Sequence, residues 1–207
     1  MKLYFVRHGR TEWNEEGRFQ GANGDSPLLP SSIQQIKKLG HALSSIRFDA
    51  VFSSDLKRAV DTTQLIMDQN QFPLHLKKSP ELREWSLGQL EGCKIDTIRA
   101  KYPQEMEAFR HDLSQFHHDL FDAESLSDTT KRTCDFVKSL KEKKFDTVLI
   151  VGHGANLTAS IRTLLGNKPE ELRKNGGLDN ASVTILTTDD FEHFDLLQWN
   201  DTSYLED

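Results

Sequence analysis

The sequence predicts an α/β protein, a three-layer α/β/α sandwich around a mostly parallel central sheet. Three observations carry this. Short apolar runs alternate with segments whose apolar residues fall at helical spacing. Two of those runs, Leu3-Tyr4-Phe5-Val6 and Val148-Leu149-Ile150-Val151, stop just before a histidine with glycine beside it. Two late runs, around 183–185 and 194–197, are close enough to pair antiparallel at one side of the sheet. Ligands of open α/β sheets bind at the carboxyl edge of the strands. Two histidines there suggest one site in which both face one ligand.

Taken in order, residues 2–6 read as a buried strand. A loop rich in glycine, asparagine and proline follows, from about Gly17 to Pro30. Ser31 or Ser32 is expected to cap a helix that turns Ile33, Ile36, Leu39, Leu43 and Ile46 inward. Ala50-Val51-Phe52 is a second strand. Asp55 is the expected N-cap of a helix with Leu56, Ala59, Val60, Thr63 and Met67 on one face. Leu74 and Leu76 mark a third strand. Ile95, Ile98 and Tyr102 form a short helix, and Pro103 starts another with Met106, Phe109, Leu113 and Phe116 inward. The stretch from Gln115 to Ala123 is the least periodic and is the expected lid. A longer helix spans about Glu124 to Lys143, and Leu157, Ile161 and Leu164 place another after the most hydrophobic strand.

A chain of 207 residues suits one domain, 1–207, with a small cap around 95–123. At 36% hydrophobic and 28% charged residues, disorder is not expected. A net charge of −6 without a long basic run argues against nucleic acid as the partner. Arg7 interrupts the first apolar run, so no signal segment is read there, and no stretch approaches the ~20 apolar residues that span a bilayer. Cys93 and Cys134 stand alone and read as free thiols. The expectation is a cytoplasmic globular chain that does not engage a membrane; a homodimer is left open.

Four segments carry chemistry. In Arg7-His8-Gly9 the histidine alone could be a metal ligand, a base, a nucleophile or a polar core residue. Arginine beside it favours an anion, because its planar donors match phosphate oxygens. Gly9 admits close backbone approach and offers an N–H. Arg58, one turn into the helix after Ser53-Ser54, can reach back over the sheet edge, although Lys57 and Arg58 alone read as solvated charges. In Glu81 to Gly92, Glu84 between Leu82 and Trp85 is the candidate acid, since a carboxyl beside apolar groups or a bound dianion donates a proton near neutral pH. Glu81 and Glu91 read as surface or hydrogen-bonding residues. His153 completes two histidines and two arginines around one phosphate, a coherent set for phosphoryl transfer. A metal site is the competing reading, but no HExxH or close ligand cluster is present, and His117-His118 reads as part of a polar loop.

Together, Arg7-His8-Gly9, Arg58, Glu84 and Gly152-His153-Gly154 resemble the histidine phosphatase superfamily, also called the phosphoglycerate mutase-like family. Thr11, Trp13-Asn14, Phe19-Gln20-Gly21, Asp25-Ser26-Pro27-Leu28, Ala123-Glu124-Ser125 and Asn180-Ala181-Ser182-Val183 extend the likeness, in family order, to about residue 186. The resemblance implies a phosphoglycerate mutase-like fold with His8 as nucleophile, forming a phosphohistidine. It implies that Arg7, Arg58 and His153 hold the phosphoryl oxygens, and that Glu84 protonates the leaving oxygen and then deprotonates water. Asn14, Gln20, Gly21 and the backbone of Gly154 would bind substrate, and no metal or organic cofactor is implied. Ala123 replaces the usual glycine before Glu124, and Ala22 stands where many members carry tryptophan.

The family's cofactor-dependent mutases carry a long insertion between the equivalents of Glu84 and Glu124 that keeps water out. Here the interval is only 40 positions (124 − 84). The reading is therefore a phosphatase of small phosphorylated metabolites, with phosphoglycerate mutase as the alternative and a catalytically silent phosphate binder as the remote one. Phe116, Leu120 and Phe121 are expected to cover the apolar part of a small substrate.

Overall fold

A computed structural model describes residues 1–205. Six strands form one sheet: β1 (Lys2–Arg7), β2 (Ala50–Ser54), β3 (Leu76–Ser79), β4 (Thr147–Gly152), β5 (Val183–Thr187) and β6 (Asp195–Asp201). Their order is β3-β2-β4-β1-β5-β6. The first four are mutually parallel; β5 joins β1 antiparallel and β6 joins β5 antiparallel. β4 lies among parallel neighbours, and its Val148, Leu149, Ile150 and Val151 are fully buried. Covered on both faces, such a strand reads as an unbroken apolar run.

Alternation along the strands feeds two cores. Leu3, Phe5, Val148 and Ile150 pack with α6 (Leu126–Ser139) and α7 (Gly154–Leu164) on one face. Tyr4, Val6, Leu149 and Val151 pack with α2 (Pro30–Ala42) and α3 (Lys57–Met67) on the other. These are the expected three layers. A third cluster, with Trp85, Leu87, Met106, Phe116 and Phe121, ties α4 (Ile95–Lys101), α5 (Pro103–His111) and the turns after them to the main body. The remaining helix, α1 (Glu12–Glu15), is a single turn closed by a reciprocal cap between Thr11 and Asn14.

Several local expectations need correction. α2 starts at Pro30 with Leu29 in the cap position, so neither Ser31 nor Ser32 caps it; proline's fixed φ is already suited to a first helical turn. Ser32 is buried and accepts from the Arg10 amide instead (2.7 Å). Asp55 does not cap α3; Leu56 holds that position. Both Asp55 oxygens are taken by Arg83 Nε and Nη2, each at 2.7 Å. A two-pronged ionic bond outcompetes a single backbone N–H. The helix expected from Glu124 starts at Leu126, with Ser125 as its cap, and ends in a 3₁₀ turn at Leu140–Glu142. No helix among the described residues is long and apolar enough to cross a membrane.

Candidate active site

The register of two strands builds the centre. Parallel β1 and β4 set Arg7 opposite Gly152, so the next residues, His8 and His153, leave the sheet side by side. Their ring centroids are 5.2 Å apart. His8 is buried, and its Nδ1 lies 2.7 Å from the Gly9 carbonyl oxygen. That oxygen can only accept, so Nδ1 carries the proton and Nε2 keeps a lone pair. Arg58 Nε donates to that Nε2 at 3.3 Å. Burial first, then the Arg58 and Arg7 charges, hold His8 well below the usual histidine range. The ring is therefore held neutral, with its unprotonated nitrogen fixed beside Arg58.

Arg58 is almost fully buried at the start of α3, not solvated. Its Nη1 donates to the Gly24 carbonyl (2.8 Å) and to Asp25 (3.1 Å), and its Nη2 to the Gly21 carbonyl (3.0 Å). Its neighbour Lys57 is exposed and pairs with Asp61. Arg7 Nη1 donates to the Leu178 carbonyl (2.5 Å), and its Nε is buried without a partner among the described residues. His153 is fully buried at the cap position of α7, and neither ring nitrogen has a partner among the described residues. Burial, followed by Arg58, His8, Arg132 and Arg7, holds it well below the usual range too. Unmet buried donors are costly unless a ligand satisfies them.

Glu84 is buried against the start of α7. Its Oε1 accepts from the amides of Trp85 (2.8 Å) and Asn156 (2.7 Å), and its Oε2 from Ala155 (2.9 Å). Oε2 thus accepts one of these hydrogen bonds and Oε1 two. The segment bearing Glu84 is fastened from behind: Arg132 donates to the carbonyls of Glu81, Arg83 and Glu84 while its Nε meets Glu124 at 2.8 Å. Asn156 Nδ2 adds a bond to the Arg83 carbonyl (2.7 Å). Glu81 is exposed, and Glu91 accepts from Asn23 and Leu87 without lining the site, as expected.

Arg7, His8 and Glu84 line a cavity of about 390 Å³ together with Asn14, Gln20 and Gly154, while Arg58 and His153 are buried beside His8 and do not line it. Gly21 does not line it; its carbonyl steadies Arg58 from behind. Gly9 does not offer its N–H to the cavity, because that N–H donates to Thr62 Oγ1 (3.1 Å). A Cβ there would lie 2.5 Å from Ile36 Cδ1 and Ser32 Oγ, so any other residue forces these side chains to shift. Phe116 and Phe121 are buried against each other within the cap and do not line the cavity, and Leu120 is exposed. Leu87, Ile95 and Phe109 form the apolar wall in their place. Arg18, Arg173 and Asp179 also line it and were not singled out from sequence. His117 sits against Glu105, away from the cavity.

Residues 3–202 match the histidine phosphatase superfamily (branch 1). Phosphoserine phosphatase 1 of Hydrogenobacter thermophilus is 30% identical over 99% of this chain and 94% of its own. A phosphoglycerate mutase of Schizosaccharomyces pombe is 34% identical over 83% of each chain. Among solved structures, Bacillus stearothermophilus YhfR superposes with a TM-score of 0.88 at 29% identity, over 99% of this chain and 98% of the other. With the sequence motifs and the fold in accord, the chain belongs to the histidine phosphatase superfamily, whose members include phosphatases and mutases.

Proposed function

We propose that this protein is a cytoplasmic phosphomonoester hydrolase of small phosphorylated metabolites, working through a phosphohistidine on His8. The observation that carries the reading is the geometry at His8: the Gly9 carbonyl lies 2.7 Å from Nδ1 and accepts its N–H, which leaves the Nε2 lone pair beside the Arg58 guanidinium. In the first step Nε2 attacks phosphorus, and the bond from phosphorus to the ester oxygen breaks as Glu84 gives that oxygen a proton. In the second, Glu84 takes a proton from water, the water oxygen attacks phosphorus, the P–N bond breaks, and His8 is restored with phosphate released. Arg7, Arg58 and His153 stabilise the charge on the equatorial oxygens in both steps. These groups supply the charge that a metal ion would otherwise bring, so turnover is expected to survive a chelator.

A mutase reading is favoured by the relatives named as phosphoglycerate mutases, one of them 34% identical. Against it stands the short interval from Glu84 to Glu124, which holds two short helices and brief 3₁₀ turns and no long water-excluding insertion. The test is phosphate release from a panel of monoesters, assayed beside interconversion of 3- and 2-phosphoglycerate with and without the bisphosphate. Hydrolysis is expected to dominate. Interconversion outpacing phosphate release by tenfold or more reverses the choice, and no turnover of any ester leaves only the silent binder.

A further inference from the structure

Arg173 lines the cavity with Arg7, His8 and Glu84 and is not one of the residues assigned to the phosphoryl group. It follows a 3₁₀ turn at Pro169–Glu171 and precedes Gly176-Gly177, and its guanidinium lies over the Phe109 ring, 5.1 Å from the centroid. Its Nε and Nη2 are buried with no hydrogen-bond partner among the described residues. These two nitrogens form the side of a guanidinium that grips a carboxylate with two bonds. This chain uses that same side twice elsewhere: Arg83 Nε and Nη2 on Asp55, and Arg132 Nε and Nη2 on Glu124. On Arg173 it is unmet. Arg18, the other added cation of the cavity, is already engaged by Glu16 and the Gly92 carbonyl.

Location ties the fork to the candidate site. Arg173 lines the same cavity as Glu84, the candidate proton donor, together with Arg7 and His8. Burial lowers Arg173 to about 10, so it remains charged at neutral pH. Arg173 lines the cavity, so the cavity is the side from which a partner for these two nitrogens would come.

We propose that Arg173 is a specificity residue that binds a carboxylate on the alcohol part of the substrate, making carboxylated phosphomonoesters the preferred class. The proposal rests on the hydrolase reading and narrows it. The test compares phosphate release from 3-phosphoglycerate and glycerol 3-phosphate, which differ by a carboxylate in place of a hydroxymethyl group. Wild-type protein is expected to favour the former in kcat/KM by about 10- to 100-fold, the value of a charged hydrogen-bonded contact. Arg173→Met should bring the ratio to within about threefold of one while leaving glycerol 3-phosphate turnover within about threefold of wild type. Arg173→Lys, which keeps the charge without the fork, should restore part of the preference. A wild-type ratio near one overturns the proposal without recourse to any variant. So does an equal loss on both esters in Arg173→Met, which would make Arg173 a strut for Phe109. If wild-type protein releases phosphate from neither ester nor from p-nitrophenyl phosphate, it is the hydrolase reading that has failed.

Discussion

Arg58 Nε points its hydrogen at His8 Nε2 across 3.3 Å, so the nitrogen assigned as nucleophile is held by the cation that would later hold the phosphoryl group. The contact favours the neutral ring both by the hydrogen bond and by charge. Arg58→Met removes both, leaving burial and Arg7 to act on His8. Its kcat should fall by about 10² to 10³, as for loss of one oxyanion donor. The acid limb of kcat/KM should also move to higher pH, because His8 then accepts a proton more readily. A rate loss with an unmoved acid limb would show that Arg58 does not tune the nucleophile.

Glu84 is held by three backbone amides, and Arg132 fastens the segment that carries it. Glu84→Gln keeps the size and removes the transferable proton. The loss should reach about 10² to 10⁴ for alkyl esters and be far smaller for p-nitrophenyl phosphate, whose leaving group needs no proton. Equal losses on both would assign the proton to another residue.

The layers were legible because burial writes itself into apolar spacing: β1 and β4 are unbroken apolar runs, and α2 and α3 carry a single inward stripe. His8 and His153 were legible because each follows such a run next to glycine. What stayed hidden depends on partners remote in the chain. Arg173 sits among Glu170, Glu171 and Lys174 and reads as one more solvated charge until Phe109 comes to lie beneath it. Asp55 has the right residue type and place for a cap, yet Arg83 offers it two ionic bonds. Phe116 and Phe121 look free in an aperiodic loop, but they stack on one another and join the cluster around Trp85.

Two neutral histidines in the centre make stability depend on pH. His8 and His153 are both held well below 6.5, chiefly by burial. Below about pH 6.5 the unfolded chain binds protons at these positions that the folded protein does not. Their contribution is therefore complete above that pH and is lost as pH falls toward the folded values. The slope approaches about 1.4 kcal/mol per pH unit for each histidine. Between pH 7 and about 5.5, Tm of the wild type should fall more steeply than that of a His8→Gln, His153→Gln variant. Titrating carboxylates act alike in both proteins and cancel in the comparison. Parallel curves would mean that the folded rings protonate as freely as unfolded ones.

Gly154 tests how closely the arginine beside His8 is fitted. Gly154 opens α7, where alanine would be the better helix former, by about 1 kcal/mol in a helix interior and less at a first turn. Yet a Cβ at this position would lie 2.8 Å from Arg7 Nε and 2.9 Å from its Cζ. Arg7 cannot yield freely, because its Nη1 is tied to the Leu178 carbonyl at 2.5 Å. Propensity and packing thus oppose each other, and they act on different observables. Gly154→Ala should leave Tm within about 3 °C of wild type, since the helix gain offsets the contact. Its kcat/KM should drop about tenfold or more, because a guanidinium displaced by even 1 Å no longer meets the phosphoryl oxygens. In an Arg7→Met background the same substitution should cost little further activity, since the displaced group is already gone. Additive losses in that double variant would show that alanine harms the site by another route, such as tilting the first turn of α7 and with it the amides that hold Glu84.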